Sequence, residues 1–182
     1  EDSDVAAQGA VDQWVSYESL PESAIHEGPL VLVNRKYPCK EYEETAMLSV
    51  YDFKNNSYMV SDKNVSLRMD TIEALNRMLE EFEAVNGKQD LLVCSGYRTF
   101  DYQKDLLSEQ EEQEGVAAST WVATPGASEH HTGYALDFNI FHPDDGTSES
   151  YTGTGVYSWI NEYAPRFGLV VRYETEKYEY TG

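Results

Sequence analysis

Residues 128–137 read Ser-Glu-His-His-Thr-Gly-Tyr-Ala-Leu-Asp, the stretch of this 182-residue chain whose side-chain types and spacing could do chemistry. His130 and Asp137 stand seven positions apart with Gly133 between them to turn the backbone, so one imidazole nitrogen and one carboxylate oxygen can meet on the same ion. Mixed N/O ligation of that kind suits Zn2+, which takes four ligands and in catalytic sites keeps one position for water. The small Ala135 lets the loop pack close. On spacing alone, a surface histidine and a capping aspartate are the commoner outcome, so the pair needs support from elsewhere in the chain. Neighbouring residues of an extended segment point opposite ways, so His131 is expected to be exposed or to back the ligand rather than to bind metal itself. Upstream, Arg98 closes Ser95-Gly96-Tyr97-Arg98. A fixed guanidinium there can hold a carboxylate or a developing oxyanion, or serve in a plain structural ion pair.

These residues need a scaffold, and the flanking patterns indicate one. Met69, Ile72, Leu75, Met78, Leu79 and Phe82 recur by threes and fours from Arg68 onward, and Asn86-Gly87 supplies a stop, which predicts a helix whose apolar stripe is core. Leu91 to Cys94 is a short strand of the buried type that delivers Ser95 to Arg98 at its end. A second helix follows, with Tyr102, Leu106 and Leu107 apolar and Glu109 to Glu114 a solvated acidic end. Residues 115–133 are small, polar and broken by Pro125-Gly126 and Gly133, and so form a loop that carries the histidines to a strand at Tyr134 to Phe138. Leu30 to Val33 is a short apolar run. Ala46 to Phe53 and Tyr58 to Val60 read as a hairpin, Gly146 to Gly155 as a turn, Val156 to Phe167 as a helix, and Leu169 to Tyr173 as a last strand. Helices and short strands in mixed order, without regular βα units or internal repeats, predict an α+β fold with a mainly antiparallel central sheet flanked by helices.

Composition narrows the function classes. The 33 acidic residues against 13 Lys and Arg give a formal charge of -20, which repels phosphate backbones, so nucleic acid is not an expected partner. Hydrophobic residues make up 41%, enough for a packed core. No run approaches the roughly 18 apolar residues of a spanning helix. The chain opens on Glu1 and an acidic, small-residue stretch to Ala10, which reads as the trimmed end left by a removed targeting segment. Membrane contact is expected only through such a signal or anchor. Cys39 and Cys94 allow one disulfide or two thiols, and the sequence leaves that open.

The motifs together resemble those of a known family. Ser128-x-His130-x-x-Gly133-x-Ala135-x-Asp137 is similar to the SxHxxGxAxD motif of the VanY-type zinc D-alanyl-D-alanine carboxypeptidases. Ser95-Gly96-Tyr97-Arg98-Thr99-Phe100-x-x-Gln103 resembles that family's SGYRSxxxQ segment, and the two stand in the family's order. The resemblance implies a D,D-peptidase (hedgehog-like) fold and a zinc-dependent enzyme outside the cytoplasmic membrane that removes the terminal D-amino acid from peptidoglycan stem peptides. It implies His130 and Asp137 as zinc ligands and Arg98 as the catalytic group that binds or polarises the substrate near the scissile amide. Gln103 and Ser128 would hydrogen-bond the peptide. L,D-carboxypeptidase specificity and a non-catalytic peptidoglycan-binding relative are the alternatives.

The same comparison shows a gap. The family's third ligand is a histidine, with the general-base glutamate three residues before it, and no such ExxH follows Asp137. His26, His131 and His142 do not stand at the missing position. Lys177 to Gly182 resemble the stretch that precedes ExxH. The expectation is an N-terminal arm or short helix over residues 1–28 and a carboxypeptidase-like domain over residues 29–182 that is cut short at its C-terminus. These 182 residues alone should then bind zinc weakly and hydrolyse little.

Overall fold

The computed structural model describes residues 31–39, 44–114 and 122–172 of the chain. Its helices are α1 (Val50–Phe53), α2 (Met69–Asn86), α3 (Phe100–Glu114) and α4 (Ser158–Tyr163), and its strands are β1 (Leu48–Ser49), β2 (Met59–Val60), β3 (Ser66–Leu67), β4 (Leu91–Ser95), β5 (Asp137–His142) and β6 (Thr147–Ser150). All belong to the unit Leu32–Gly182. The expected arm at residues 1–28 and the last ten residues lie outside the described ones.

The apolar stripe does form one helix, α2, which buries Ile72, Leu75, Met78, Leu79 and Phe82. Full burial of one such side chain contributes about 1.5–3 kcal/mol. Gly87 ends the helix in the left-handed region at φ 65°, its N–H donating to Glu83 O at 2.7 Å. Against this stripe lie Val50, Tyr58, Leu67, Leu91, Val93, Ile160 and Ala164, which together make the core.

The main sheet has the order β2-β4-β5-β6. Strands β2 and β4 are parallel, while β4–β5 and β5–β6 are antiparallel. The fold is therefore α+β with a mainly antiparallel sheet, as the mixed order of elements predicts. Register does the work that matters for chemistry. Leu91 faces Ile140 and Val93 faces Phe138, and an irregularity between Val93 and Ser95 then sets Ser95 opposite Asp137.

Several local expectations are corrected. The hairpin over 46–60 does not form. Val50–Phe53 coils into one helical turn that buries Val50, β1 pairs with β3, and β2 pairs with β4. The reason is long-range. Asn76 of α2 accepts from Asn55 N–H and from Tyr58 OH, fixing the intervening loop on the helix instead of across a strand partner. The strand after the histidine-bearing loop begins at Asp137, not Tyr134, because Tyr134 N–H bonds locally to Thr132 Oγ1. Part of the expected turn at 146–155 is strand β6, paired to β5. The expected helix over 156–167 is α4 flanked by two 3-10 turns, the second holding Pro165, which has no N–H for an α-helical bond. No strand is assigned to 169–172. Cys39 and Cys94 are both thiols, and burial pushes Cys39 up to about 11.

Candidate metal centre

Asp137 begins β5 at the point where β4 ends in Ser95, so two strand termini meet at one corner of the sheet. Into that corner the chain delivers a turn from each side. After β4 it runs through Gly96 and Tyr97 to Arg98, and Tyr97 N–H donates to Ser66 O at 2.7 Å. A Cβ on Gly96 would strike that same Ser66 carbonyl, so only glycine lets the turn pass. Before β5, Glu129–Thr132 forms a 3-10 turn that ends at Gly133, φ 73°. The Gly133 carbonyl accepts from Arg68 N–H at 3.2 Å and from Thr71 Oγ1 at 3.4 Å, which seats this loop on the start of α2.

The side chains converge on one atom. Asp137 Oδ2 lies 3.0 Å from Arg98 Nη2 and 3.4 Å from His130 Nε2, and it accepts from Ser95 Oγ. Ser95 Oγ in turn accepts from Arg98 Nη2 at 3.1 Å. Partial burial pushes the Asp137 carboxyl up, but His130, Ser95 and Arg98 outweigh it and hold the group at about 2. It is a carboxylate at every physiological pH.

His130 is held by its other nitrogen. Nδ1 lies 2.7 Å from Gly96 O, and a carbonyl can only accept, so Nδ1 carries the proton. Nε2 then faces the Asp137 carboxylate oxygen at 3.4 Å, where a bare nitrogen lone pair and the carboxylate would oppose each other. A proton or a cation resolves that opposition, and the His Nδ1–H···O=C arrangement is the one that orients metal-ligating imidazoles. The donor set thus fits a divalent metal of the zinc type at two positions. Among the described residues no third His, Cys, Asp or Glu joins them.

The remaining expected site residues are placed differently. Arg98 is tied into the Asp137 ion pair, with Nη1 3.5 Å from Gln103 Oε1. Gln103 is 1% exposed, and its amide donates to Ala123 O at 2.8 Å, so it does not open onto a free surface. Ser128 is buried just before the 3-10 turn, its carbonyl accepting from His131 N–H at 3.2 Å. His131 does not point out to solvent. It is 1% exposed, with both ring nitrogens bonded to backbone. His142 lies away on β5, 3.5 Å from Glu149 of β6. Sequence reasoning missed Ser95 and the Gly96 carbonyl as parts of the centre. Both sit in the quoted Ser-Gly-Tyr-Arg string, but only the β4–β5 register shows what they face.

A model of the VanY D-alanyl-D-alanine carboxypeptidase family matches residues 64–182. A D-alanyl-D-alanine carboxypeptidase of Enterococcus faecalis is 40% identical over 101 residues, covering 50% of this chain and 35% of that protein. Among solved structures, the LdcB LD-carboxypeptidase superposes with a TM-score of 0.67 at 27% identity, covering 84% of this chain and 71% of that one. A mutant of the vancomycin resistance D,D-pentapeptidase VanY, in complex with Zn(II), gives 0.59 at 29% identity, covering 85% and 82%. The chain spans about a third to a half of the length of the curated relatives it matches first, 35% and 51%.

Proposed function

The chain belongs to the VanY D-alanyl-D-alanine carboxypeptidase family, and on that premise we propose that it is the zinc-dependent metallopeptidase domain of an enzyme that trims the terminal D-amino acid from peptidoglycan stem peptides. The reaction takes place outside the cytoplasmic membrane, where that substrate lies, and any membrane contact comes through a signal or anchor. The observation that carries this reading is the convergence of His130 Nε2, turned by the Gly96 carbonyl, on Asp137 Oδ2 at 3.4 Å, with Arg98 on the same oxygen.

His130 Nε2 and Asp137 would hold the metal. Zinc, when bound, supplies a Lewis acid that activates water and polarises a carbonyl. Gly96 O keeps His130 in the ligating tautomer, and Ser95 keeps the Asp137 carboxylate turned toward it. Arg98 offers a cation for the peptide's C-terminal carboxylate or for negative charge developing at the scissile carbonyl. In this reading Gln103 and Ser128, both buried here, would hydrogen-bond the peptide. Gln103 meets a substrate only by giving up its bond to Ala123 O. The domain boundary falls near residue 29, and a histidine and a glutamate base of the ExxH kind complete the centre. Without them the 182 residues bind zinc weakly and turn over little.

The similarity to LdcB favours L,D specificity as a second reading. Release of D-alanine from a stem pentapeptide and from a stem tetrapeptide, by the zinc-loaded protein extended past Gly182 with a Glu-x-x-His segment, separates the two. Turnover of the pentapeptide is expected, with loss in Arg98→Ala. Tight binding of both peptides without release of D-alanine would instead identify a non-catalytic binding relative.

A further inference from the structure

His131 takes no part in the metal pair, yet it is among the most buried polar side chains of the molecule. Its Nδ1–H donates to Arg98 O at 2.7 Å, and its Nε2 accepts from Gly126 N–H at 3.0 Å. The ring packs against Phe100, centroids 4.3 Å apart. One residue earlier, the His130 carbonyl accepts from Arg98 N–H at 3.2 Å. The backbone of Arg98 is therefore gripped at both its N–H and its C=O by two consecutive residues of the metal loop. An arginine side chain has four rotatable bonds, and where its guanidinium ends depends first on where its Cα is held.

Gly126 extends the same grip. Its φ of 89° places it in the left-handed region, and its carbonyl accepts from Cys39 N–H at 2.7 Å. A single neutral imidazole thus joins three segments: the Arg98 turn after β4, the loop around Gly126, and the metal loop.

We propose that His131 is a positioning residue: its neutral Nδ1–H imidazole fixes Arg98 against the metal loop and so sets the distance between the guanidinium and the Asp137–His130 pair. The effect on turnover rests on the proposed peptidase reading, whereas the clamp itself rests on the hydrogen bonds alone. A glutamine amide presents a donor and an acceptor across one carbon, as the imidazole does across Cε1, so His131→Gln can keep both bonds. His131→Leu fills space and keeps neither.

The test compares wild type, His131→Gln and His131→Leu in the zinc-loaded full-length protein by amide hydrogen exchange, zinc affinity and kinetics on a stem pentapeptide. His131→Leu is expected to speed exchange at Gly126 by at least about 10-fold and to lower kcat by about 10- to 100-fold. Zinc affinity should stay within about threefold, and His131→Gln should recover exchange and kcat to within about threefold. Equal behaviour of Gln and Leu, or a loss in Leu fully accounted for by lost zinc, overturns the proposal. If Leu does not fold, 15N spectra of the wild-type ring decide: a proton on Nδ1 with a protected Gly126 amide supports the clamp, and a proton on Nε2 alone overturns it. If wild type cleaves no stem peptide, the peptidase reading falls, while exchange at Gly126 still decides the clamp in the same two directions.

Discussion

At the scale of single residues, the centre is a contest for one oxygen. Ser95, Arg98 and His130 all address Asp137 Oδ2, and they hold that carboxyl at about 2 although its side chain is 53% exposed. Because His130 is fixed through Nδ1, Nε2 and the Asp137 carboxylate would be oriented before any ion arrived, which would lower the ordering cost of the proposed metal binding. His130→Ala removes one of the two donors and should weaken zinc binding by at least about 10-fold, as read by equilibrium dialysis. His131→Ala should leave most of the binding. Equal loss in the two variants would refute the assignment of ligands. The His130–Asp137 pair was legible in the sequence because its members share one short loop. Ser95 and the Gly96 carbonyl were not, since their part depends on a strand pairing that joins residues 42 positions apart. Gln103 was legible as a motif residue, but the bond its amide makes to Ala123 O, 20 positions along the chain, was not.

At the scale of elements, the positions that admit no side chain are those that let the loops meet. A Cβ on Gly133 would collide with Met47 Sδ and lie 2.9 Å from Arg68 Cγ, on a backbone at φ 73°. Gly133→Ala should therefore cost about 1–3 kcal/mol of stability in urea unfolding, and it should loosen zinc as well, because Arg68 and Thr71 grip that carbonyl. A second check lies at the far end of the sheet. Tyr157 OH donates to Asp90 Oδ2 at 2.9 Å and docks the 3-10 turn before α4 onto the start of β4. Burial first, and then the Asp90 carboxylate, push Tyr157 up to about 12 from its ordinary 10. A phenol with a raised value contributes stability that is complete below pH 10 and is lost as pH rises toward 12. Tyr157→Phe should flatten that alkaline loss in thermal melts and cost about 1.5 kcal/mol at neutral pH. Helix α2 was legible because its stripe is long and strictly periodic, whereas β1, β2 and β3 are two residues each and take their identity from partners elsewhere. A run that short carries no period of its own.

At the scale of the whole molecule, the chain carries a formal charge of -20, while the centre holds a cation in Arg98. If the substrate is the proposed wall peptide, an anion, the net charge gives it no long-range attraction, and capture falls to contacts inside about 10 Å, the screening length near 0.1 M salt. Raising ionic strength should then increase kcat/KM for a stem peptide by screening the repulsive envelope, and a steep fall would mean that Arg98 dominates even at a distance. No helix among the described residues is long and apolar enough to cross a membrane. The fold class followed from the mixed order of elements, and the sheet order β2-β4-β5-β6 did not, because one parallel pairing and a strand hidden in a Ser/Thr-rich stretch leave little local trace. What the sequence could express was a list of neighbours along the chain, and the centre is made of neighbours across it.

The most direct test of the account is X-ray absorption at the zinc edge on protein loaded with one equivalent of zinc, recorded for wild type, His130→Ala and Asp137→Ala. The account predicts one imidazole nitrogen and one carboxylate oxygen at about 2.0–2.2 Å in wild type, with the nitrogen lost in the first variant and the oxygen in the second. A metal shell that stays unchanged in both variants would contradict it.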